Sequence, residues 1–406
     1  MKTVGLITEY NPFHKGHKFH IEMSRQLTGS DYVVVLMSGN YVQRGEPAFF
    51  DKYLRARIAL EQGADLVLEL PVLYATGSAE LFASGSVSIL DRLGMIDSIC
   101  FGSENASVQE LQTIAEILAE EPPAYQTSLK SHLKSGLSFP AARARAVLDY
   151  VGSNNEKINQ ILSSPNHILG IEYLKSLKKR KSSICPYTIS RIHSGYHDTE
   201  ECHRFYSASA LRNVMDKALF YDSLSEISPC YKDFLKDYGP ITPNDFSLIL
   251  GEKLLNQTED SLSGFLDISR DLARSILNKR NAFQDFDSFI SLIKSKNLTY
   301  TRISRCLIHL LLGITNELAA MEKKCDGPSY VRVLGFRKSS QELLKKISPD
   351  ISLLTKMTAY EPCLSTEFDQ MLFHANLYGD HLYRMVLMNK YHTEIPGEFN
   401  RKFIVS

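Results

Sequence analysis

Short apolar runs rich in β-branched residues, at positions 4–7, 32–37, 66–70 and 99–101, alternate with helical patterns at 15–27, 52–62 and 78–93. Strands that are apolar on consecutive residues are buried on both faces, and helices between them imply right-handed βαβ crossovers. The opening of the chain is therefore expected to form an α/β domain with a doubly wound, parallel, Rossmann-like sheet. In such sheets ligands bind outside the carboxyl ends of the strands. Each run leads into a polar or glycine-containing loop, at 8–16, 38–47, 71–77 and 102–105, and the chemistry is expected there.

From residue 107 to 177 the pattern is largely helical, broken at Pro122-Pro123, at Gly136 and at Ser163-Ser164-Pro165. A further strand near 187–192 leads toward Gly195, and Ser207-Ala-Ser-Ala-Leu-Arg212 opens another helix. Beyond about Asp216 the strand signal almost vanishes, leaving helical periodicity at 246–255, 303–321 and 341–347. A chain of 406 residues exceeds one ordinary core. Two domains are expected: 1–215, catalytic, and 216–406, mainly helical.

Lys plus Arg equals Asp plus Glu, 46 of each, so no global basic field points to nucleic acid. A local patch on a neutral protein still could serve RNA. Seven scattered cysteines without a Cys-x-x-Cys pair argue against a disulfide framework or zinc ribbon and suit a reducing compartment. The first apolar run ends at a carboxylate and reads as a strand rather than a signal peptide. No apolar stretch approaches the ~20 residues of a membrane-spanning helix. A soluble, cytoplasmic protein is expected.

The strongest chemical signal follows the first strand: Glu9-Tyr-Asn-Pro-Phe-His-Lys-Gly-His17. A glycine in the turn admits a ligand close to the backbone, and the helix that follows offers unpaired N–H groups to an anion. His14 and His17, three apart at a helix start, lie on one face. Both can donate to phosphate oxygens, stabilising charge that builds when an α-phosphate is attacked. Out of context such a pair is more often two ordinary histidines; its place after a buried strand favours the catalytic reading. His20 continues the spacing, so a three-histidine metal face is the alternative, although no further ligand completes it nearby. The second element, Ser207, Ser209 and Arg212, has an adequate structural explanation in helix capping. Its functional reading places hydroxyls and a guanidinium over a triphosphate tail.

His-x-Gly-His after strand 1 with a late Ser-x-Ser-x-x-Arg resembles the HxGH nucleotidyltransferase superfamily. The longer strings resemble one family within it, the bacterial tRNA(Met) cytidine acetate ligases. Those strings are Ile7-Thr-Glu-Tyr-Asn-Pro-Phe-His-Lys-Gly-His17, Ser38-Gly-Asn-Tyr-Val-Gln-Arg-Gly-Glu-Pro47, Phe101-Gly-Ser-Glu104, Pro165-Asn-His-Ile-Leu-Gly-Ile-Glu-Tyr173 and Gly195-Tyr-His-Asp198. The match is dense up to Arg212 and thinner afterwards. The resemblance implies an enzyme that activates acetate with ATP to acetyl-adenylate, without acetyl-coenzyme A, and acetylates N4 of the wobble cytidine in elongator tRNA(Met). It implies an ATP cradle of Ile7, Thr8, Glu9, Tyr10, Asn11, Pro12, Phe13, His14, Lys15, Gly16, His17, Lys18, Phe19 and His20. Gly102, Asn166 and Arg191 would complete the site, with Mg²⁺ held mainly by phosphates and water. Each has a plainer role available: Gly102 can turn the chain, Asn166 can cap a helix, Arg191 can pair on the surface.

Gln43, Arg44, Lys52 and Arg55 could meet pyrophosphate or RNA. For RNA the best patch is the run 175–181 with Lys178, Lys179 and Arg180, joined by Lys323, Lys324, Arg332, Arg337, Lys338, Lys345 and Lys346, although such runs are more often solvated helix faces. His193, His197, Asp198, Cys202 and His203 crowd one loop without standard metal spacing. The competing functions are a small-molecule adenylyltransferase of cofactor biosynthesis and a nucleotide-sensing scaffold. Roughly half of the chain lies beyond Arg212, which favours a macromolecular substrate. The oligomeric state is not legible.

Overall fold

The computed structural model describes residues 1–152, 156–190, 208, 212, 224–295 and 298–406. The strands are β1 (Thr3–Thr8), β2 (Tyr32–Ser38), β3 (Tyr41–Val42), β4 (Glu46–Pro47), β5 (Leu66–Leu70), β6 (Ser98–Ser103), β7 (Cys185–Ser190), β8 (Tyr330–Phe336), β9 (Ser352–Leu354) and β10 (Ile404–Val405). β3 and β4 form a small antiparallel pair in the loop after β2. The main sheet has the order β10-β8-β5-β2-β1-β6-β7, with β9 also on β8. From β1 the chain steps to β2 and β5 on one side, and to β6 and β7 on the other. The order therefore reverses beside β1, which is where a ligand crevice opens in sheets of this kind.

Burial on both faces follows the two-residue period of a strand. Val33, Val35 and Met37 of β2 join Val4 and Leu6 of β1 in one core. Val34 and Leu36 join Leu66, Leu68 and Leu70 of β5 in the other. Helix α1 (Lys15–Thr28) starts at an N-cap on His14 and stops at Gly29, whose φ of 61° suits a residue without a side chain. Helix α2 (Lys52–Glu61) starts at Asp51, whose carboxylate accepts from Leu54 N at 2.7 Å.

The expected α/β fold with a parallel, Rossmann-like core of strands is present, and two details differ from the reading of the sequence. The sheet is mixed, because β8 runs antiparallel to β5 with Leu66 opposite Phe336. β8 to β10 also come from the region read as mainly helical, so the strands of one sheet lie on both sides of the expected 215/216 division. Every residue of β8 is buried, and its apolar run is short enough to be mistaken for part of a buried helix. Similarly, the pattern at 303–321 is two helices, Tyr300–Leu312 and Asn316–Cys325, separated at Gly313 with φ 72°. Residues 341–347 lie in a 3₁₀ stretch, Lys338–Lys346.

In sequence Lys52 and Arg55 are candidates for pyrophosphate or RNA and Arg332 for RNA, with a solvated surface as the plainer reading; in the structure all three are buried. Lys52 Nζ meets Glu69 at 2.8 Å and also pairs with Asp380, from the helix Glu367–Tyr391. Arg332 meets Glu398 at 2.6 Å and Asp380 at 3.3 Å. Two cations and three carboxylates thus tie α2, β5, β8 and the C-terminal helix together. Among the described residues no helix is long and apolar enough to cross a membrane.

Candidate active site

The loop leaving β1 is held by buried anchors. Tyr10 and Phe13 are fully buried, with ring centroids 4.7 Å apart, and Tyr231 Oη donates to Phe13 O at 3.1 Å. Asn11 Oδ1 accepts from Phe49 N at 2.7 Å, and Glu9 Oε1 accepts from Gln43 N at 2.7 Å, so the loops after β1 and β2 are latched together. Arg55 lies beneath both, donating to Glu9 O at 2.6 Å and to Ser38 O at 3.0 Å. Burial raises the Glu9 carboxyl pKa, opposed by the Gln43 N–H and by the charges of Arg212 and Arg44.

At the mouth of α1 the two histidines form a reciprocal cap. His14 Nδ1 accepts from Gly16 N at 3.1 Å, and His17 Nδ1 accepts from His14 N at 3.2 Å. The rings stack with centroids 3.7 Å apart and planes 22° from parallel. A neutral imidazole that accepts at Nδ1 carries its proton on Nε2. The helix cap therefore sets the tautomer, giving each ring an Nε2–H donor beside the positive end of α1. Gly16 is required by close approach: a Cβ there would lie 2.9 Å from His14 Cε1.

The other expected residues distribute unevenly. Ile7 and Thr8 end β1, Pro12 is buried, and Phe19 packs against the core beneath α1. Lys15 Nζ pairs with Glu226 at 2.9 Å and Lys18 is exposed. His20 is half-buried on α1 and its carbonyl accepts from Ser24 Oγ at 2.6 Å. No cluster of three His, Cys, Asp or Glu side chains suited to a metal occurs among the described residues. Arg212 does reach the motif, donating to Asn11 O; burial lowers its pKa and Glu46 opposes that shift. Gly102 lies in β6 opposite Ile189. Asn166 stands in the first turn of the helix Pro165–Arg180 and donates to Glu104. Arg191, Ser207 and Ser209, with His193, His197, Asp198, Cys202 and His203, lie outside the described residues.

The basic run is less cationic than its sequence suggests. Lys178 pairs with Glu120 at 2.9 Å and Glu116 at 3.4 Å. Arg180 pairs with Asp326 at 2.6 Å and Asp91 at 3.2 Å. Lys179 shares the last turn of that helix. The functional reading of the sequence also passed over Glu104, which gathers partners some sixty positions away that no local spacing connects to it.

Residues 1–396 match the family model described as HIGH Nucleotidyl Transferase. The tRNA(Met) cytidine acetate ligase of Thermoanaerobacter sp. (strain X514) is 42% identical over 399 residues, covering 96% of each chain. The chain belongs to this family. A second member, the tRNA(Met) cytidine acetate ligase of Acetivibrio thermocellus, is 39% identical over 420 residues and covers 100% of both chains. Among solved structures, Thermotoga maritima TmcAL bound with alpha-thio ATP superposes with a TM-score of 0.92 at 31% identity, covering 100% of this chain and 99% of that one. The likeness thus runs through β8 to β10 as well as through the histidine motif, so the family's fold includes the late strands.

Proposed function

We propose that the chain is an ATP-dependent acetate ligase that forms acetyl-adenylate and acetylates N4 of the wobble cytidine of elongator tRNA(Met). The observation that carries the mechanism is the pair of Nε2–H donors fixed by the reciprocal cap of His14 and His17. Membership of the acetate ligase family supports the substrates. The TmcAL structure matched here holds alpha-thio ATP, which supports ATP as the nucleotide.

In the first step an acetate oxygen attacks the α-phosphorus, an acyl–phosphate bond forms, the bond to the bridging oxygen breaks, and pyrophosphate leaves. Negative charge rises on the equatorial oxygens, where positioned donors act most strongly. His14 and His17 are those donors, standing beside the positive end of α1. In the second step the cytidine amine attacks the acetyl carbonyl, AMP leaves with the bonding pair, and the amine loses a proton. Mg²⁺ would be carried on the phosphates and water and would neutralise the leaving pyrophosphate. The anticodon loop must present its base splayed out, as single-stranded RNA recognition requires. Residues 216–406 are proposed to assist in holding the tRNA, and the cytoplasm as the place of action.

A small-molecule adenylyltransferase would use the same histidine motif with a different attacking group. Incubation with labelled acetate, ATP and bulk tRNA separates the two: label in tRNA is expected. ATP turnover that ignores acetate and tRNA would overturn the proposal.

A further inference from the structure

Glu104 follows β6 at the carboxyl edge of the sheet, across the reversal point from the histidines. Its carboxylate gathers side chains from the start of the helix Pro165–Arg180. Oε1 accepts from Asn166 Nδ2; Oε2 accepts from Ser164 Oγ at 2.6 Å and lies 3.2 Å from His167 Nε2. The Glu104 backbone N–H donates to His167 Nε2 at 3.2 Å. The helix closes tightly on β6 at Gly170, where a Cβ would lie 2.6 Å from the Phe101 ring.

An ionised carboxylate only accepts, so the Asn166 atom facing Glu104 is the amide nitrogen. The amide cannot turn over without setting two acceptors together, and Oδ1 is left to receive a donor from a ligand. Asn166 is half-buried and can be reached. A nucleotide with its triphosphate at the mouth of α1 and its nucleoside in the crevice at the reversal beside β1 would bring its base to the β6 loop and Asn166. Adenine carries an amine donor at C6, whereas guanine carries a carbonyl acceptor there. Facing Oδ1, the first makes a hydrogen bond and the second leaves two acceptors opposed.

We infer that Glu104 is a positioning residue: by holding Asn166 Nδ2 it makes Oδ1 the reader of the adenine 6-amino group and so selects ATP over GTP. The inference rests on the acetate ligase reading above.

Acetate-dependent exchange of labelled pyrophosphate into ATP and into GTP, without tRNA, reads the selection. Glu104→Gln lets the Asn166 amide turn over, and the ratio of kcat/KM for ATP over GTP is expected to fall about tenfold or more. The double exchange E104Q/N166D transposes donor and acceptor and is expected to restore the preference, which a purely structural latch would not do. An unchanged ratio in E104Q overturns the inference and leaves the acetate ligase reading standing. Absence of acetate-dependent exchange in the wild type counts against that reading instead. Calorimetric binding to the wild type decides the inference without turnover or a variant. Purine riboside triphosphate, which lacks the 6-amino group, is expected to bind about tenfold or more weakly than ATP. Equal affinities overturn the inference.

Discussion

Lys52 Nζ lies 2.8 Å from Glu69 Oε1, and the two side chains are 0% and 2% exposed. Removing the lysine leaves Glu69, Asp380 and Glu398 buried with Arg332 as the remaining cation of the cluster. Lys52→Met is expected to cost about 3–5 kcal/mol, the usual penalty for stranding a buried charge. Urea unfolding followed by circular dichroism checks it, and a loss below about 1 kcal/mol would show the cluster to be far weaker than buried pairs usually are.

Asp380 gives the same cluster a pH signature. Burial raises its carboxyl from 3.8 to about 7, aided by Glu398 and Glu69 and opposed by Lys52 and Arg332. Between those values the folded chain keeps a proton that the unfolded chain has released. Stability therefore falls as pH rises through that window. Asp380→Asn has no such proton to lose, so the stability of the wild type relative to the variant should decline from pH 4 to pH 7. A constant difference across that range would refute the assignment.

His14 performs two tasks that one substitution can separate. Asparagine is a good N-cap residue and can still accept from the first-turn N–H groups, but offers no imidazole. His14→Asn should keep the thermal midpoint within a few degrees while slowing adenylate formation about 10²–10³-fold, the effect of losing one oxyanion donor. Near-normal pyrophosphate exchange would remove His14 from the mechanism.

Gly16→Ala tests the packing beneath the histidine. Alanine favours a helix by about 1 kcal/mol over glycine, yet its Cβ would lie 2.9 Å from the His14 ring. The ring must move. A fold of normal stability with strongly reduced exchange activity is expected; full activity would mean that the stacked arrangement is not needed for chemistry.

Lys178 and Arg180 should matter little to RNA. Every phosphate that a protein ceases to neutralise lowers the salt slope by about 0.7–0.9. Because both residues face carboxylates, the double variant K178A/R180A should leave the slope of tRNA binding within that amount of the wild type. A clearly flatter slope would restore this run as a phosphate-tracking surface.

The first four parallel strands and their loops were legible because each is a run of consecutive apolar residues followed by punctuation, and the structure places β1, β2, β5 and β6 within two residues of those runs. The histidine pair was legible because its partners are local, within three residues of one another. β8 was not: its pairing to β5 joins Leu66 to Phe336, and a seven-residue buried run carries no period of its own. Arg55 and Lys52 misled for a related reason. A charged residue on a helix is ordinarily solvated, and what buries these two are carbonyls and carboxylates contributed from distant segments, among them Asp380 and Glu398.

The late arrival of β8 has a consequence for how the enzyme is made. A ribosome releases β1, β2, β5 and β6 early, but the far edge of β5 finds its neighbour only after Phe336 has emerged. Until then a buried-type strand shows bare backbone amides and carbonyls to its surroundings, an invitation to wrong pairing. Shortened versions ending soon after Arg212 should accordingly clump rather than work, and the nascent chain is expected to need shelter through most of its synthesis.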